Sequence, residues 1–493
     1  MRLIDLIEGD TEKVREGAAA VHRDITGITS DSRRVEPGFL FAALPGSRAD
    51  GRAYIAEAVR RGAAAVLAPP DTTLGGLAAV IPLITDDNPR RLYALMAARL
   101  HAGQPATVVA VTGTNGKTSV VSFARQIWTA LGRRAASHGT LGIQTAQGSE
   151  GGSLTTPDPV DLHTSLRRLA AQGIDCLAME ASSHGLEQHR LDGVRLSAAA
   201  FTNLSRDHLD YHGSMAAYLD AKLRLFRDLL PADGVAVVNA DDAYGASIIA
   251  ACRARGQRVI AYGEAGTEIR LLGSEPTGDG QRLAIEVFGR RHTVDLPLLG
   301  AFQADNALCA LGLVLAGGAD AEAAVDALAH LQGAPGRLQL VARHSAGAPI
   351  FVDYAHTPDA LANVLDTLRP HVTGRLFVVF GCGGDRDAGK RPEMGRIAAE
   401  RADVIIVTDD NPRSEQAATI RGQILAACPG AREVSDRAAA IRLAVSELAA
   451  GDLLVVAGKG HERGQIVGAV THPFDDAEQV RAAVAACAAP VAP

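Results

Sequence analysis

Short apolar runs alternate with amphipathic stretches along most of the chain. The run 108–111 has the length and β-branched content of a buried strand, and comparable runs recur at 174–179, 198–201 and 235–238. Segments with helical periodicity lie between these runs. The alternation predicts a mostly parallel, doubly wound sheet in the middle of the chain.

The same kind of alternation precedes and follows this central region. Before it we expect strands near Ile28 and Leu40 and at 64–67 and 80–84, with helices at 54–61 and 90–101. After it, the predicted strands are 350–353, 376–381, 404–408 and 453–457, and the predicted helices are 358–368, 391–401, 417–427 and 437–448. The last region predicts a Rossmann-like α/β domain without the dinucleotide fingerprint G-x-G-x-x-G.

Two loop-forming stretches divide the chain. One is Ala102-Gly103-Gln104-Pro105, and the other is Gly333-Ala334-Pro335-Gly336. A length of 493 residues allows about three domains. We therefore predict an α/β protein with an N-terminal α/β domain (1–102), a central parallel-sheet domain of the P-loop ATPase kind (103–337) and a C-terminal Rossmann-like domain (338–493).

Composition narrows the class of protein. The chain is 47% hydrophobic and 21% charged, as expected of a globular domain, and its net charge of −7 argues against a dedicated binder of nucleic acid or anionic membranes. Six cysteines form no C-x-x-C pair, the acidic N-terminus does not resemble a signal peptide, and no apolar run is long enough to span a membrane. We expect a cytoplasmic enzyme with neither nucleic-acid nor membrane partners.

The strongest chemical signal is the segment TGTNGKTS, which follows the predicted strand 108–111 and opens a helical pattern. A strand, a glycine-rich turn, Lys-Thr and a helix are the layout of a phosphate-binding loop. Lys117 can supply positive charge to the phosphates, and the Thr118 hydroxyl can bind Mg²⁺. The spacing is the shorter G-x-x-G-K-T, because Val111 stands where the longer motif has its first glycine. The alternative is an ordinary βα turn with a chance lysine.

Acids and histidines follow two further predicted strands. Glu180 comes directly after the run 174–179, and Asp207, His208 and Asp210 follow the run ending at Phe201. Ligands of doubly wound sheets gather at the carboxyl ends of the strands, so a carboxylate there is a natural Mg²⁺ ligand. The alternatives are a solvated loop acid for Glu180 and helix-capping acids for the second group.

Several segments occur in one order over nearly the whole chain: TGTNGKTS, EASSHGL, TNLSRDHLDYHG, YLDAKLRLF, VDYAHTPDAL, GCGGDRDAGKRPEMG and GKGHE. Together they resemble the Mur ligases of peptidoglycan synthesis, and the later segments resemble the branch that adds the third peptide residue. The resemblance implies that ATP phosphorylates the D-glutamyl side-chain carboxylate of UDP-MurNAc-L-Ala-D-Glu. The amine of meso-diaminopimelate then attacks the acyl phosphate, giving an amide, ADP and phosphate. It also implies a UDP-sugar-binding first domain, an ATP-binding central domain and an amino-acid-binding third domain.

The resemblance also implies roles for individual residues. The implied catalytic residues are Lys117, Glu180, His208 and Lys222, and the implied metal site comprises Thr118, Glu180, His208 and Lys222, the last as a carbamate (N6-carboxylysine) formed with CO₂. The implied ATP-binding residues are Gly113, Thr114, Asn115, Gly116, Lys117, Thr118, Ser119, Asn306, Arg337 and Asp353. Gln303 stands where the motif around Asn306 more usually has Asn. The alternative for Lys222 is a surface lysine on a helix over 216–226.

The two remaining substrates match further segments. The implied contacts to the UDP-sugar dipeptide are Ser30, Ser32, Ser47, Arg48, Ala49, Thr155, Thr156, Ser182, Gln188 and Arg190. The implied contacts to meso-diaminopimelate are Arg386, Asp410, Asn411, Pro412, Arg413, Gly458 and Glu462. Arg413 can clamp the distal carboxylate, which lysine lacks, and Glu462 can receive the ammonium. For the serines of the first domain, the alternative is turn chemistry.

The pentapeptide Asp-Asp-Asn-Pro-Arg occurs twice, at 86–90 and at 409–413. The first copy precedes a predicted helix, where Asn-Pro suits the helix start, and we interpret it as structural. Only the second copy follows a strand of the third domain.

Other functions stay open at this point. They are a lysine-adding or sister Mur ligase, a folylpolyglutamate synthase, a P-loop kinase or motor-like NTPase, and an inactive binding protein. We expect a monomer that uses ATP and Mg²⁺.

Overall fold

The computed structural model describes residues 1–16, 22–46, 49–79, 81–152, 154–205, 207–277 and 280–488. The chain forms two compact units. The first comprises Met1–Arg270, Val287–Gly289 and Leu308–Ala324, and the second comprises Leu271–Glu286, Arg290–Ala307 and Val325–Pro493. Among the described helices, none is both long enough and apolar enough to cross a membrane.

The first unit begins with a five-stranded sheet in the order β1-β5-β4-β3-β2. All neighbours in this sheet are parallel except β1, which runs antiparallel to β5. Its elements are α1 (Leu3–Leu6), β1 (Val14–Glu16), β2 (Gly27–Thr29), β3 (Phe39–Ala42), α2 (Ile55–Arg60), β4 (Ala65–Ala68), β5 (Leu83–Thr85) and α3 (Pro89–Leu100).

The first unit continues into a larger, mainly parallel sheet. Its elements are β6 (Thr107–Thr112), α4 (Lys117–Ala130), β7 (Ala135–Gly139), β8 (Gly142–Thr145), β9 (Gly148–Glu150), α5 (Pro159–Ala171), β10 (Cys176–Glu180), α6 (Ser183–Glu187), β11 (Ala198–Phe201), α7 (Leu209–His212), α8 (Met215–Arg224), β12 (Val235–Asn239), α9 (Gly245–Ala254) and β13 (Arg258–Gly263). The strand order is β13-β12-β11-β6-β10-β7-β8-β9, parallel from β13 to β7 and antiparallel beyond it.

The position of β6 in this sheet decides where a ligand can bind. It lies between β10 and β11, and the chain places β7 and β10 on one side of β6 before it crosses to β11, β12 and β13 on the other. Such a reversal leaves a crevice beyond the carboxyl ends of the central strands. The phosphate loop, Glu180 and the segment after Phe201 all lie at these ends.

The remaining elements lie mainly in the second unit, although Val287–Gly289 and Leu308–Ala324 belong to the first. They are β14 (Ile269–Pro276, which begins in the first unit), β15 (Gln281–Val287), β16 (Arg290–Leu296), α10 (Ala301–Ala316), α11 (Ala321–Asp326), β17 (Gln339–Arg343), β18 (Pro349–Asp353), α12 (Pro358–Leu368), β19 (Leu376–Phe380), α13 (Lys390–Arg401), β20 (Val404–Val407), α14 (Ala417–Leu425), β21 (Arg432–Glu433), α15 (Arg437–Ser446), β22 (Leu453–Ala457), β23 (Gly464–Val467), β24 (Val470–Pro473) and α16 (Asp476–Ala488).

A six-stranded sheet organises this unit, in the order β17-β18-β22-β19-β20-β21. Only β17 is antiparallel to its neighbour. Apolar clusters cover both faces of the sheet, which is why its strands read as continuous apolar runs. The strands β23 and β24 form a separate antiparallel hairpin.

The predicted parallel strands and helices are confirmed, most of them with ends shifted by one or two residues. One shift concerns the site, because Glu180 is the last residue of β10 and does not follow it. The predicted helix 216–226 ends as α8 at Arg224 and is followed by a π-helical turn, Leu225–Leu229.

The sequence analysis missed several antiparallel strands, including β8, β9, β23 and β24. The strands β9 and β24 are exposed along their whole length, so they carry no apolar run that periodicity could detect.

Candidate functional site

The phosphate loop connects β6 to α4 through Gly113–Gly116. Gly113 has φ 148° and Gly116 has φ 85°, conformations that favour glycine. A Cβ added at Gly113 would lie 1.9 Å from Thr202 Oγ1, so no side chain fits at this position unless Thr202 moves. The loop delivers the N-terminus of α4, at Lys117, to the carboxyl end of the sheet. Such a helix start attracts phosphate groups.

The segment after β11 holds the loop in shape. The Thr114 N–H donates to the Asn203 carbonyl at 2.8 Å, and the Asn115 N–H donates to Asn203 Oδ1 at 3.0 Å. Thr202 Oγ1 donates to the Asn115 carbonyl at 2.6 Å. The sequence analysis quoted the motif that contains Thr202 and Asn203 but gave these residues no role. They anchor the loop from the neighbouring strand.

Two lysines donate to one backbone oxygen of the loop. Lys117 Nζ lies 2.9 Å from the Gly113 carbonyl oxygen and 2.8 Å from that of Thr114. Lys222 Nζ lies 2.8 Å from the same Gly113 oxygen, and its ammonium stands 4.2 Å above the Tyr218 ring. Lys222 is only 1% exposed. Burial, and then the positive charge of Lys117, hold the pKa of Lys222 well below its ordinary value. Lys222 is therefore not the surface lysine of the alternative interpretation.

Glu180 is a buried carboxylate held by uncharged donors. Its side chain is 1% exposed and accepts from Thr118 Oγ1 at 3.0 Å, the Thr140 N–H at 2.8 Å and Thr140 Oγ1 at 3.1 Å. Gly139 leaves room for it, since a Cβ there would lie 2.2 Å from Glu180 Oε1. The Thr118 hydroxyl and the Glu180 carboxylate thus meet at the start of α4. Hard oxygen ligands beside a phosphate loop fit Mg²⁺.

His208 differs from the other predicted catalytic residues because it is exposed. It has φ 52°, its Nε2 lies 3.5 Å from Asp207 Oδ2, and its ring centroid is 4.9 Å from that of His184. Across the described residues, no three His, Cys, Asp or Glu side chains form a group that could hold a metal. The predicted set contains only two such residues, Glu180 and His208. The structure brings Lys117, Thr118, Glu180 and Lys222 together at the phosphate loop. The roles of these four residues and of His208 stay predictions.

A chain of hydrogen bonds continues from Glu180 through the residues predicted to bind the sugar and peptide. Thr155 Oγ1 lies 3.0 Å from Thr140 Oγ1. Thr156 Oγ1 donates to the Glu180 carbonyl at 3.1 Å and accepts from Ser182 Oγ at 3.1 Å. Hydrogen bonds therefore link the residues predicted to contact the sugar and peptide in the central domain to Glu180 and Thr140.

Two more predicted residues extend this network. Arg190 Nη1 donates to the Thr156 carbonyl at 2.7 Å, and Arg190 Nη2 donates to Gln188 Oε1 at 2.7 Å. Gln188 Nε2 donates to the Tyr211 hydroxyl at 2.8 Å. Arg190 and Gln188 therefore present one fixed polar surface.

A cleft of about 230 Å³ lies over that surface. Its lining residues are Ser30, Leu44, Arg90, Tyr93, Leu154, Asp158, Pro159, Gln188 and Arg190. Asp158 accepts from Ser30 Oγ at 3.4 Å and from the Tyr93 hydroxyl at 3.0 Å, and burial raises its pKa. Tyr93 and Asp158 were not predicted, because neither lies in a motif that suggests binding.

The remaining predicted residues of the first domain differ in their surroundings. Ser32 Oγ donates to Glu57 Oε2 at 3.2 Å, which is a structural contact. The Ala49 carbonyl accepts from the Gly46 N–H at 3.0 Å. Ser47 and Arg48 lie outside the described residues.

The first Asp-Asp-Asn-Pro-Arg copy has the predicted structural role. Asn88 caps α3, where its side chain accepts from the Arg91 N–H at 3.0 Å, and Pro89 is the first helical residue.

In the second unit, the residues predicted to bind the amino acid cluster beyond β19, β20 and β22. Asp410 is buried, and Gly458 has φ 116°, where a Cβ would lie 2.7 Å from Asp410 Oδ2. Gly384 likewise approaches the backbone closely, since its Cβ would lie 2.0 Å from the Pro412 carbonyl oxygen. Glycines at these positions let three loops converge at one edge of the sheet.

Arg413 lies in this cluster with a left-handed backbone, φ 50°. Its N–H donates to the Ile466 carbonyl at 3.0 Å, and its Nη1 donates to the Gly384 carbonyl at 2.9 Å. Arg386 is exposed, and its Nη1 donates to the Asp385 carbonyl at 3.2 Å. Backbone carbonyls thus accept hydrogen bonds from both guanidinium groups. The positive charge of each remains available to a ligand carboxylate.

Asn411, Lys459 and Glu462 form a polar network in the same cluster. Asn411 Nδ2 donates to Glu462 Oε2 at 2.8 Å. Lys459 Nζ donates to Asn411 Oδ1 at 2.8 Å and lies 3.4 Å from Glu462 Oε2. The sequence analysis assigned no role to Lys459.

Three predicted ATP contacts also lie in the second unit. Asn306 Nδ2 donates at 3.2 Å to the side chain of Gln303, the residue that departs from the usual motif. The Arg337 guanidinium stands 4.6 Å above the Tyr354 ring. Asp353 accepts from the Leu338 and Ala355 N–H groups at 2.5 and 2.7 Å, and burial raises its pKa.

Comparison with known families gives three consecutive matches. Residues 24–101 match the Mur ligase family catalytic domain, residues 111–314 match the Mur ligase middle domain, and residues 336–460 match the Mur ligase glutamate ligase domain.

Curated relatives match over nearly the full length. A UDP-N-acetylmuramoyl-L-alanyl-D-glutamate--2,6-diaminopimelate ligase of Bradyrhizobium diazoefficiens is 54% identical over 489 residues, which is 98% of this chain and 99% of that protein. The ligase of the same name from Caulobacter vibrioides is 56% identical over 459 residues, covering 92% and 94%.

Solved structures agree with these matches. A structure of a ligase of the same name has a TM-score of 0.73 at 35% identity and covers 99% of both chains. The folylpolyglutamate synthase of Mycobacterium tuberculosis, complexed with ADP and AMPPCP, has a TM-score of 0.61 at 21% identity and covers 75% of this chain and 92% of its own. The second likeness concerns the fold alone.

Proposed function

The chain belongs to the Mur ligase family, and we propose from that premise that it joins meso-diaminopimelate to UDP-N-acetylmuramoyl-L-alanyl-D-glutamate, converting ATP to ADP and phosphate. The observation that carries the proposal is the cluster at the carboxyl end of β6. There Lys117, Lys222 and the Thr118–Glu180 pair surround a loop shaped for phosphate. The full-length likeness to diaminopimelate ligases supports the choice of substrates.

The cluster suits phosphoryl transfer to a carboxylate. The side-chain carboxylate of the D-glutamyl residue attacks the γ-phosphorus of ATP, and ADP leaves. Both partners are anions, so positive charge from Lys117 and the start of α4 lowers the barrier. Mg²⁺, held by Thr118 and Glu180, would neutralise further phosphate charge. The amine of diaminopimelate then attacks the acyl phosphate, loses one proton and displaces inorganic phosphate.

We propose that Lys222 carries a carbamate in the active protein. Carbamate formation requires a neutral amine, which attacks CO₂ and releases one proton. The lowered pKa of Lys222 supplies that amine, and its position beside the phosphate loop would bring the new anion toward the metal site together with Glu180 and His208.

Carbon-13 NMR tests the carbamate directly. Protein equilibrated with ¹³C-bicarbonate should give one carbamate signal that Lys222→Met abolishes. A signal of equal intensity in that variant would place the carbamate elsewhere, and no signal in either protein would disprove it.

We propose that Arg413 binds the carboxylate and Glu462 the ammonium of the diaminopimelate zwitterion. The other proposed contacts are Arg386, Asp410, Asn411, Pro412 and Gly458. The convergence of their loops supports this assignment. Arg413→Leu should raise the KM for meso-diaminopimelate by about 10- to 100-fold, because a charged hydrogen-bond pair is lost, while KM for ATP stays unchanged. Equal increases for both substrates would contradict a specific contact.

The cleft in the first unit is the proposed site for the UDP-sugar dipeptide. Ser30, Gln188 and Arg190 line it, and Thr155, Thr156 and Ser182 continue the network behind it. Ser32, Ser47, Arg48 and Ala49 complete the proposed contacts. For ATP we propose the loop residues Gly113–Ser119 together with Asn306, Arg337 and Asp353. The domain limits 1–102, 103–337 and 338–493, a monomeric state and a cytoplasmic location are also part of the proposal.

ADP release with the UDP-sugar dipeptide, Mg-ATP and either meso-diaminopimelate or L-lysine tests the function. Turnover that requires diaminopimelate supports it. Turnover with lysine alone would leave an amide ligase but contradict the assignment of Arg413. ADP release without any amine would instead indicate an NTPase.

A further inference from the structure

We propose that Lys459 is a positioning residue that orients the ammonium-binding carboxylate Glu462 and the amide of Asn411 in the amino-acid pocket. The inference rests on the proposed function, because it assumes that this pocket receives meso-diaminopimelate. Lys459 itself lies behind the two side chains and is fully buried. A buried lysine is rare unless polar partners hold it.

The three side chains form a closed triangle. Lys459 Nζ is 2.8 Å from Asn411 Oδ1 and 3.4 Å from Glu462 Oε2, and Asn411 Nδ2 is 2.8 Å from the same Glu462 oxygen. Each residue therefore contacts both others. Displacing one of them leaves the other two with an unmatched donor or acceptor.

The triangle fixes which way the Asn411 amide points. Its Oδ1 accepts from Lys459 and also from the Ile466 N–H at 3.0 Å, so both donors face the oxygen. A flipped amide would place its NH₂ group against these two donors. The Nδ2 group must therefore face Glu462.

The same contacts select one oxygen of Glu462 for the ligand. Oε2 accepts from Asn411 and lies within reach of Lys459, whereas the Glu462 side chain as a whole is about one-third exposed. Oε1 is then the oxygen presented to an incoming ammonium.

The backbone on both sides of Lys459 packs closely against neighbouring residues. Gly458 has φ 116° and lies against Asp410, and Gly460 has φ 55°, where a Cβ would lie 2.8 Å from the Gly336 carbonyl oxygen and 2.8 Å from Tyr354 Cβ. The two flanking glycines hold the lysine backbone against three neighbours.

Steady-state kinetics of Lys459→Met are the first test. We expect the KM for meso-diaminopimelate to rise about 10- to 100-fold, because a hydrogen bond to a charged group is lost. The kcat and the KM for ATP should change less than about twofold. Lys13→Met is the matched control, since Lys13 pairs with Asp86 at the edge of the first sheet, and the change should leave every constant unchanged. A fall in kcat alone, or equal rises in both KM values, would overturn the inference.

A double-mutant cycle tests whether Lys459 acts through Glu462. When Lys459→Met is added to the Glu462→Gln variant, the KM for diaminopimelate should rise less than threefold further. The oxygen that Lys459 orients has already lost its charge in that variant. Independent effects that multiply in the double variant would mean that Lys459 contacts the ligand itself or acts elsewhere, and would refute a positioning role.

Lys459→Arg covers the case in which Lys459→Met does not fold. Arginine keeps the charge but does not reproduce a single ammonium between two acceptors, so KM for diaminopimelate should rise about three- to tenfold. A KM identical to that of the unchanged protein would overturn the inference. If the unchanged protein shows no diaminopimelate-dependent turnover, the proposed function fails instead.

Discussion

Two glycine-rich turns in this protein each place a lysine just beyond a parallel strand, and the two lysines differ in what they contact. Lys117 follows Gly116 after β6, and its Nζ lies against the backbone carbonyls of Gly113 and Thr114. Lys459 follows Gly458 after β22, and its Nζ lies against the side chains of Asn411 and Glu462. Lys459 is fully buried, whereas Lys117 is half-buried.

The difference indicates that the charge of Lys117 is available for the reaction, whereas the charge of Lys459 has a structural role. Backbone carbonyls hold an ammonium group without carrying a net charge, so phosphate oxygens can outcompete them for Lys117. A carboxylate partner already matches the charge of Lys459, and removing that lysine leaves an unbalanced anion. We therefore expect changes in the β6 region to affect turnover, and changes in the β22 region to affect folding and substrate affinity.

The largest effect should come from the buried ion pair beneath the β22 turn. Arg437 and Asp476 are both completely buried, their shortest N–O distance is 2.7 Å, and Arg437 also donates to the Ala457 carbonyl at 2.9 Å. Arg437→Met leaves Asp476 buried and unpaired, which should cost about 3–5 kcal/mol. Hydrogen exchange of the β22 amides measures the loss. Protection equal to that of Arg463→Met, which removes an exposed arginine, would contradict it.

The next effect should appear in the β6 region without loss of folding. Lys117→Met should lower kcat by about 10²- to 10³-fold, because one preorganised cation at the transferred phosphate is removed. The thermal midpoint should stay within about 2 °C of that of the unchanged protein. Unchanged turnover would show that Lys117 is not part of the phosphate site.

A glycine pair can separate steric from conformational cost in that region. Gly113→Ala combines a positive φ with a clash at Thr202, whereas Gly132→Ala has φ 74° and open space. Gly132→Ala should cost about 1–2 kcal/mol from the backbone alone. Gly113→Ala should cost more and also reduce turnover, as measured by urea unfolding and ADP release. Equal costs would mean that the loop moves freely away from Thr202.

The smallest effect concerns pH in the β22 region. Burial, and then the charge of Arg337, lower the pKa of His461 to about 4 from 6.5. Between these values only the unfolded chain binds the proton, so stability falls as pH falls through this range. From pH 6.5 to 5.5 the loss from this residue should be about 1 kcal/mol.

His461→Gln should remove that contribution and flatten the dependence of the urea midpoint on pH. His472→Gln, at an exposed position, serves as the control. An identical slope for His461→Gln and the unchanged protein would exclude His461 as the cause.

The local sequence pattern was sufficient to predict the parallel strands with their helices and the phosphate loop. The run before Thr112 and the Gly-Lys-Thr that follows are contiguous, so strand, turn and helix could be predicted together. The family expected from the motifs is confirmed by matches over all three regions.

The contacts that shape the sites could not be predicted in the same way. Asn203 reaches the phosphate loop across 88 residues, and Lys459 reaches Asn411 across 48. Tyr93 meets Asp158 across 65 residues. Such pairs leave no local periodicity, because only the sheet order brings their loops together.

The repeated pentapeptide has a consequence for anyone who edits or transplants segments of this protein. In the first copy Asn88 caps a helix that Pro89 opens, whereas in the second copy Asn411 holds Lys459 and the chain after Pro412 turns through a left-handed Arg413. The same pentapeptide therefore adopts two conformations, and its contacts with distant residues determine which one it adopts. A graft of residues 409–413 into another scaffold would transfer the sequence without the contact that holds Asn411. To keep that contact, a designer would have to transfer the Gly458–Glu462 loop with it.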